Sequence, residues 1–160
     1  MNNEKVVFIV YGAPGSGKTT FVKDSLMPGD IVVDLDVITA ALLGTENKHP
    51  DYATVMPLVL SVRDSLYTMI EARVGLWMRA FVISASPDDR QISQLADRLG
   101  ASCIYMDITE DECLRRVMND PARPDKDKAG QIVKEWFYKH RMLQQFAGVH
   151  TNLYSGGQRH

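Results

Sequence analysis

The stretch Lys5-Val6-Val7-Phe8-Ile9-Val10-Tyr11-Gly12-Ala13-Pro14-Gly15-Ser16-Gly17-Lys18-Thr19-Thr20 decides the fold. Lys5 to Tyr11 is a β-branched and aromatic run with no alternation, the pattern of a strand buried on both faces of a parallel sheet. Gly12 to Thr19 then follows G-x-x-x-x-G-K-[ST], and from Thr19 the pattern is helical through Leu26, stopping at Pro28-Gly29. In this strand, loop and helix setting the spacing has a chemical reason. Glycines let the backbone wrap a phosphate closely, with N–H groups turned inward, and the helix adds its positive N-terminal end. Lys18 would reach the β- and γ-phosphates of a nucleoside triphosphate, the Thr19 hydroxyl would coordinate Mg²⁺, and Pro14 stiffens the loop. The expected binding set is Gly12, Ala13, Pro14, Gly15, Ser16, Gly17, Lys18, Thr19 and Thr20.

Outward from the loop, strand and helix patterns alternate. Ile31 to Asp34 reads as a second strand, with Asp36 placed to cap a helix reaching about Leu43. Gly44 to Pro50 has loop composition, and Tyr52 to Arg73 carries apolar residues at helical spacing, with Pro57 tolerable only near its first turn. Arg79 to Ser84 is a third strand, Asp88 to Leu99 an amphipathic helix closed by Gly100, and Ser102 to Met106 a fourth strand. Glu110 to Met118 is helical, Asn119 to Lys128 is a polar, proline-broken loop, Ala129 to Phe146 is the last helix, and Val149 to Tyr154 reads as a fifth strand. This order implies an α/β fold, a three-layer doubly wound sheet of about five parallel strands, with ligands beyond the C-terminal strand ends.

The 160 residues, 45% of them hydrophobic, suffice for one core, so residues 1–154 read as a single domain and Ser155 to His160 as a flexible tail. A net charge of -2 argues against a surface that coats nucleic acid or anionic membrane, though a local basic patch is compatible with it. The apolar run from Val6 to Val10 is too short for a signal-peptide core or a membrane span. Cys103 and Cys113 show neither metal-ligand spacing nor a disulfide framework, so a cytoplasmic setting without membrane association is expected.

What a bound triphosphate does depends on the other strand ends. Asp34 and Asp36 leave the second strand as Asp-Leu-Asp, and a carboxylate there can accept the proton of an attacking hydroxyl or hold a metal-bound water. Asp36 is favoured as base; Asp34 stands between metal binding, acceptor binding and a strand-end hydrogen bond. From Arg115 to Arg141 eight Lys or Arg face four Asp or Glu, a local basic excess. Arg116 and Arg123 there can close over a triphosphate and neutralise charge on the transferred group. Lys126 and Lys128 read as surface charge. His49, His140 and His150 lack metal-like spacing, and Trp77 and Trp136 read as packing residues.

Together the phosphate loop, the D-x-D and the Arg-rich loop near position 120 resemble the small P-loop kinases of the adenylate-kinase-like group. Within it the chain is most similar to the kinase domain of polynucleotide 5′-hydroxyl kinases and their bacteriophage, zeta-toxin-like relatives. The likeness spans Lys5 to about Tyr154, and only the phosphate loop is highly specific. It implies ATP and Mg²⁺, a five-stranded core, a base at Asp36, a short lid carrying Arg116 and Arg123, and transfer to a nucleoside, nucleotide or nucleic-acid hydroxyl. Val37-Ile38-Thr39 departs from the arginine that such kinases carry after the base, leaving the acceptor open; Arg63 on the long helix can supply that contact from another side. The third strand ends Ile83-Ser84-Ala85-Ser86-Pro87 without a carboxylate, so Ser84 is an acceptor-side candidate and metal binding falls to Thr19 with Asp34 or Asp36. Small-alcohol kinases and NTPase switches are the alternatives. The only Asn-Lys of a guanine-reading kind, Asn47-Lys48, lacks its aspartate.

Overall fold

The computed structural model describes residues 4–154, with side chains through residue 147. Four strands alternate with six helices: β1 (Val6–Tyr11), α1 (Lys18–Ser25), β2 (Ile31–Val33), α2 (Leu35–Leu43), α3 (Met56–Glu71), β3 (Arg79–Ser84), α4 (Asp89–Leu99), β4 (Ala101–Tyr105), α5 (Glu110–Asn119) and α6 (Lys126–Tyr154). The strands form one parallel sheet in the order β2-β3-β1-β4, with Ile9 level with Val82 on one side and Cys103 on the other. β1 is paired on both edges by β3 and β4 and covered on its two faces by helices, α3 and α4 on one and α1 on the other, which explains its unbroken apolar run.

Alternate residues feed two packing layers. Val7 and Ile9 join Tyr67 and Ile70 of α3 and Ile92 and Leu99 of α4, while Val10 packs with Val22 of α1 and with Phe81. A further cluster joins Ala13 of the glycine loop to Cys113 and Val117 of α5 and to Ala129, Val133 and Trp136 of α6. The sheet continues past β1 into the loop. Gly12 N–H donates to the Ser84 carbonyl at 3.3 Å, and Met106 N–H to the Tyr11 carbonyl at 2.8 Å. The loop is thus clamped between the ends of β3 and β4.

Three expectations change. Val149 to Tyr154 belongs to the end of α6, so the described residues hold four strands where five were expected. Extending a helix adds a hydrogen bond per residue, whereas a strand needs a partner edge, so local β-branched composition does not decide the outcome. That last helix also begins at Lys126 instead of Ala129, which shortens the lid connection to residues 120–125. And α2 is capped by Asp34, not Asp36: the Asp34 side chain accepts the Asp36 N–H. The expected tail, 155–160, lies outside the described residues.

Candidate active site

Three glycines give the loop its shape, with φ of 149° at Gly12, 78° at Gly15 and 89° at Gly17, all left-handed values that side chains resist. Space matters as much at Gly15, where a Cβ would lie 2.8 Å from Val117 Cγ1 and 3.0 Å from the Cys113 carbonyl oxygen. Helix α5 is therefore packed directly on the loop. Gly17 forms the N-cap of α1 without a side-chain cap, and the first turn holds no acidic residue, so the positive end of α1 is available to an anion. Ser16 is fully buried, and its Oγ has no hydrogen-bond partner among the described residues. Orphaned buried hydroxyls are uncommon, and one inside a glycine cradle fits a site that a ligand completes.

Lys18 is 9% exposed, and its Nζ donates to the carbonyls of Gly12 and Ala13, each at 2.8 Å. Burial pulls its ammonium down to about 8, opposed by the Cys113 thiol and by Asp34 and Asp36. The amine therefore lies folded into its own loop, where phosphate oxygens can replace the two carbonyls. Thr19 and Thr20 are exposed. Asp34, almost buried, accepts the Asp36 N–H through Oδ1 at 2.9 Å. Capping uses Oδ1; the Asp34 carboxylate, close enough to bear on Lys18, and the Thr19 hydroxyl in the first turn of α1 are the hard oxygen donors this region offers. No group of three or more His, Cys, Asp or Glu among the described residues could cage a metal alone. Magnesium is commonly held by one or two protein oxygens plus substrate phosphates and water, so the donor set fits it.

Asp36, freed from capping, has a different environment. Burial, and then the Asp34 carboxylate, push it up to about 6, against the pull of Arg123 and Lys18. Beside it stands a residue that the sequence did not single out: His49 Nδ1 lies 3.8 Å from Asp36 Oδ2, and Nε2 lies 3.3 Å from Asp120 Oδ2. No local pattern announces this pairing, because His49 and Asp120 are 71 residues apart.

The two arginines expected on the lid sit differently: Arg116 belongs to helix α5, and only Arg123 lies in the 120–125 connection. Arg116 Nε bonds Glu112 Oε1 at 2.8 Å, and its Nη1 stands 3.3 Å from the position of a Cβ on Gly17, against the phosphate loop. Arg123 Nε bonds Asp120 Oδ2 at 3.2 Å, and its charge bears on Lys18, Asp36 and His49. The structure thus brings Lys18, Asp34, Asp36 and both arginines around one loop. It does not bring Arg63 there. That guanidinium pairs with Asp64 at 2.8 Å and lies over the Tyr67 ring, as a residue on an outer helix face does. Ser84 is at the site's edge through its carbonyl, while its Oγ accepts the Ser86 N–H at 3.2 Å. Trp136 is held by a bond from Nε1 to the Ala85 carbonyl at 2.8 Å, and its ring belongs to the core.

A central parallel strand that ends in a glycine cradle, a buried lysine and a helix N-terminus defines a P-loop nucleotide-binding fold of the kinase-like type. The chain belongs to the AAA domain family, whose model matches residues 7–119. No curated protein matches the sequence. Similar solved structures include a chain of the Pnkp1/Rnl/Hen1 RNA repair complex, at TM-score 0.62 and 14% identity over 90% of this chain and 47% of that one. This chain therefore spans about half the length of that relative. Shikimate kinase from Acinetobacter baumannii, in complex with shikimate, is similar at TM-score 0.56 and 12% identity, covering 98% of this chain and 97% of that one. Shikimate kinase from Bacteroides thetaiotaomicron gives 0.53 and 14%, covering 86% and 80%. At these identities the likeness is one of fold. No helix among the described residues is long and apolar enough to cross a membrane.

Proposed function

We propose that this protein transfers the γ-phosphoryl group of ATP to a hydroxyl, with Asp36 as the base. The observation that carries the reading is the placement of the Asp36 carboxylate in the first turn of α2, in the field of Lys18 and Arg123, where burial pushes it up to about 6. A base of that strength is ionised at neutral pH yet retains affinity for the proton it must take. Backbone N–H groups at the start of α1, from Gly17 to Thr20, cradle the phosphates, and Lys18 turns from its carbonyls to the β- and γ-oxygens. Thr19 and Asp34 hold Mg²⁺, which when bound offsets phosphate charge. Arg116 and Arg123 stabilise charge on the transferred group, while Asp36 accepts the hydroxyl proton as the acceptor oxygen attacks phosphorus.

The acceptor is a nucleoside, nucleotide or nucleic-acid hydroxyl ahead of a sugar or other small alcohol. The RNA repair relative and the shikimate kinases share the fold, so polymer ends and small polyols both belong among the compounds tested. Two free cysteines, Cys103 and Cys113, suit the cytoplasm. The test is a titration with a fluorescent ATP analogue, competed with ATP and GTP. Lys18→Ala should weaken binding by about 100-fold, the loss of charge-assisted hydrogen bonds. Unchanged affinity in that variant, or strict preference for GTP, contradicts the assignment.

A further inference from the structure

His49 and Asp120 contact the proposed machinery from two different segments. His49 lies in the 44–55 connection between α2 and α3, where Asn47 Oδ1 accepts its N–H at 3.0 Å and the following Pro50 is buried. The backbone beneath the imidazole is thereby held. Asp120 opens the lid turn: Oδ1 accepts the Ala122 N–H at 2.9 Å, Oδ2 takes Arg123 Nε at 3.2 Å, and Lys126 Nζ bonds its carbonyl oxygen. One carboxylate organises the lid turn, and one imidazole ties it to the segment beside the base.

An exposed ion pair of this kind contributes little. Here, however, the His49 and Asp120 side chains are only 28% and 32% exposed, and Arg123 shares the same carboxylate. Burial first, then Arg123, hold the imidazole below its ordinary value against the pull of Asp120. A neutral ring with its proton on Nε2 donates to Asp120, so Nδ1 faces Asp36 as a lone pair. At 3.8 Å that contact is no hydrogen bond, and His49 borders the base without occupying it.

We infer that His49 is a positioning residue that couples the 44–55 loop to the lid turn, so that closure of the lid over the phosphates also orders the loop that borders Asp36. The inference rests on the kinase reading above. The coupling has a physical sense: when Arg123 leaves Asp120 for a triphosphate, Asp120 loses its cation and the His49 Nε2–H becomes its main side-chain partner. Closing the lid then strengthens the link to the loop.

Hydrogen exchange with the non-hydrolysable analogue AMP-PNP and Mg²⁺ tests this without an acceptor. In the unmodified protein, residues 12–20 and 45–55 should both exchange about tenfold more slowly with the analogue, the worth of one charge-assisted hydrogen bond. His49→Ala should keep the slowing at 12–20 and lose it at 45–55, and Asp120→Ala, which removes the acceptor, should do the same. His49→Gln, which retains an N–H donor, should restore it, and it also serves where the alanine variant folds poorly. Equal slowing at 45–55 with and without His49, or none there in the unmodified protein while 12–20 slows, overturns the inference. Absence of slowing at 12–20 overturns the kinase reading itself, and the coupling with it.

Discussion

The carboxylate of Asp34 accepts the backbone N–H of Asp36 at 2.9 Å, so the first acidic residue after β2 caps the helix and the side chain of the second takes no part in the cap. Asp36→Asn should therefore lower phosphoryl transfer by about 10³-fold with ATP affinity nearly unchanged, the loss typical of a general base. Asp34→Asn keeps a capping side chain and should fold normally. Asp34→Ala should cost about 1 kcal/mol in a denaturant melt, as caps do. If Asp34→Asn alone abolishes transfer while Asp36→Asn does not, the roles are reversed.

The elevated Asp36 pKa also has a consequence for stability in nucleotide-free, metal-free protein. Its folded value of about 6 lies above 3.8, so between those pH values the folded state binds more protons than the unfolded state. Stability contributed by this group is lost as pH rises through that window, and above about 6 the full penalty applies. Asp36→Asn should then stabilise the protein at pH 7 by about 1 kcal/mol, read as a higher melting temperature, once solvent screening of a side chain 36% exposed is allowed for. At pH 3.5 the gain should vanish; an equal gain at both pH values contradicts the environment assigned to Asp36.

Arg123 and Arg116 should separate binding from transfer. Replacing either with alanine should reduce kcat by about 100-fold or more, with a much smaller change in the KM for ATP. Steady-state kinetics against ATP provides the check. A rise in KM at constant kcat would make these residues ground-state binders.

Gly15→Ala should destabilise the protein by about 1 to 3 kcal/mol and weaken ATP binding, because the new Cβ meets both strained backbone and helix α5. Val117→Ala removes the Cγ1 at 2.8 Å and should return part of the loss when combined with it. Strictly additive effects in the double variant would show that φ, and not the packing of α5, makes glycine necessary.

These sites differ in how far the sequence revealed them. The strand, the glycine loop and α1 are adjacent in the chain, and their pattern reflects burial of β1 between two neighbours and the φ values that only glycine takes easily. For Arg63 a helical position gives no sign of which way its face turns, so an acceptor contact and a helix-face charge read alike; in the structure it pairs with Asp64. The choice of cap depended on where β2 ends: Asp34 still has extended backbone, φ -134° and ψ 122°, which makes it the N-cap. The strand expected at 149–154 looked plausible only by composition. His49 was weighed only as a metal ligand and set aside, since its contact with Asp120 joins residues 71 apart that the fold, not the chain, brings together.

Transfer to a hydroxyl is tested most directly by following the label of [γ-³²P]ATP with Mg²⁺ across 5′-hydroxyl oligonucleotides, nucleosides, nucleotides and small polyols including shikimate. Label should move to at least one acceptor class with the unmodified protein and to none with Lys18→Ala or Asp36→Asn. Bound ATP whose label appears only as free phosphate, whatever the acceptor, would contradict a kinase.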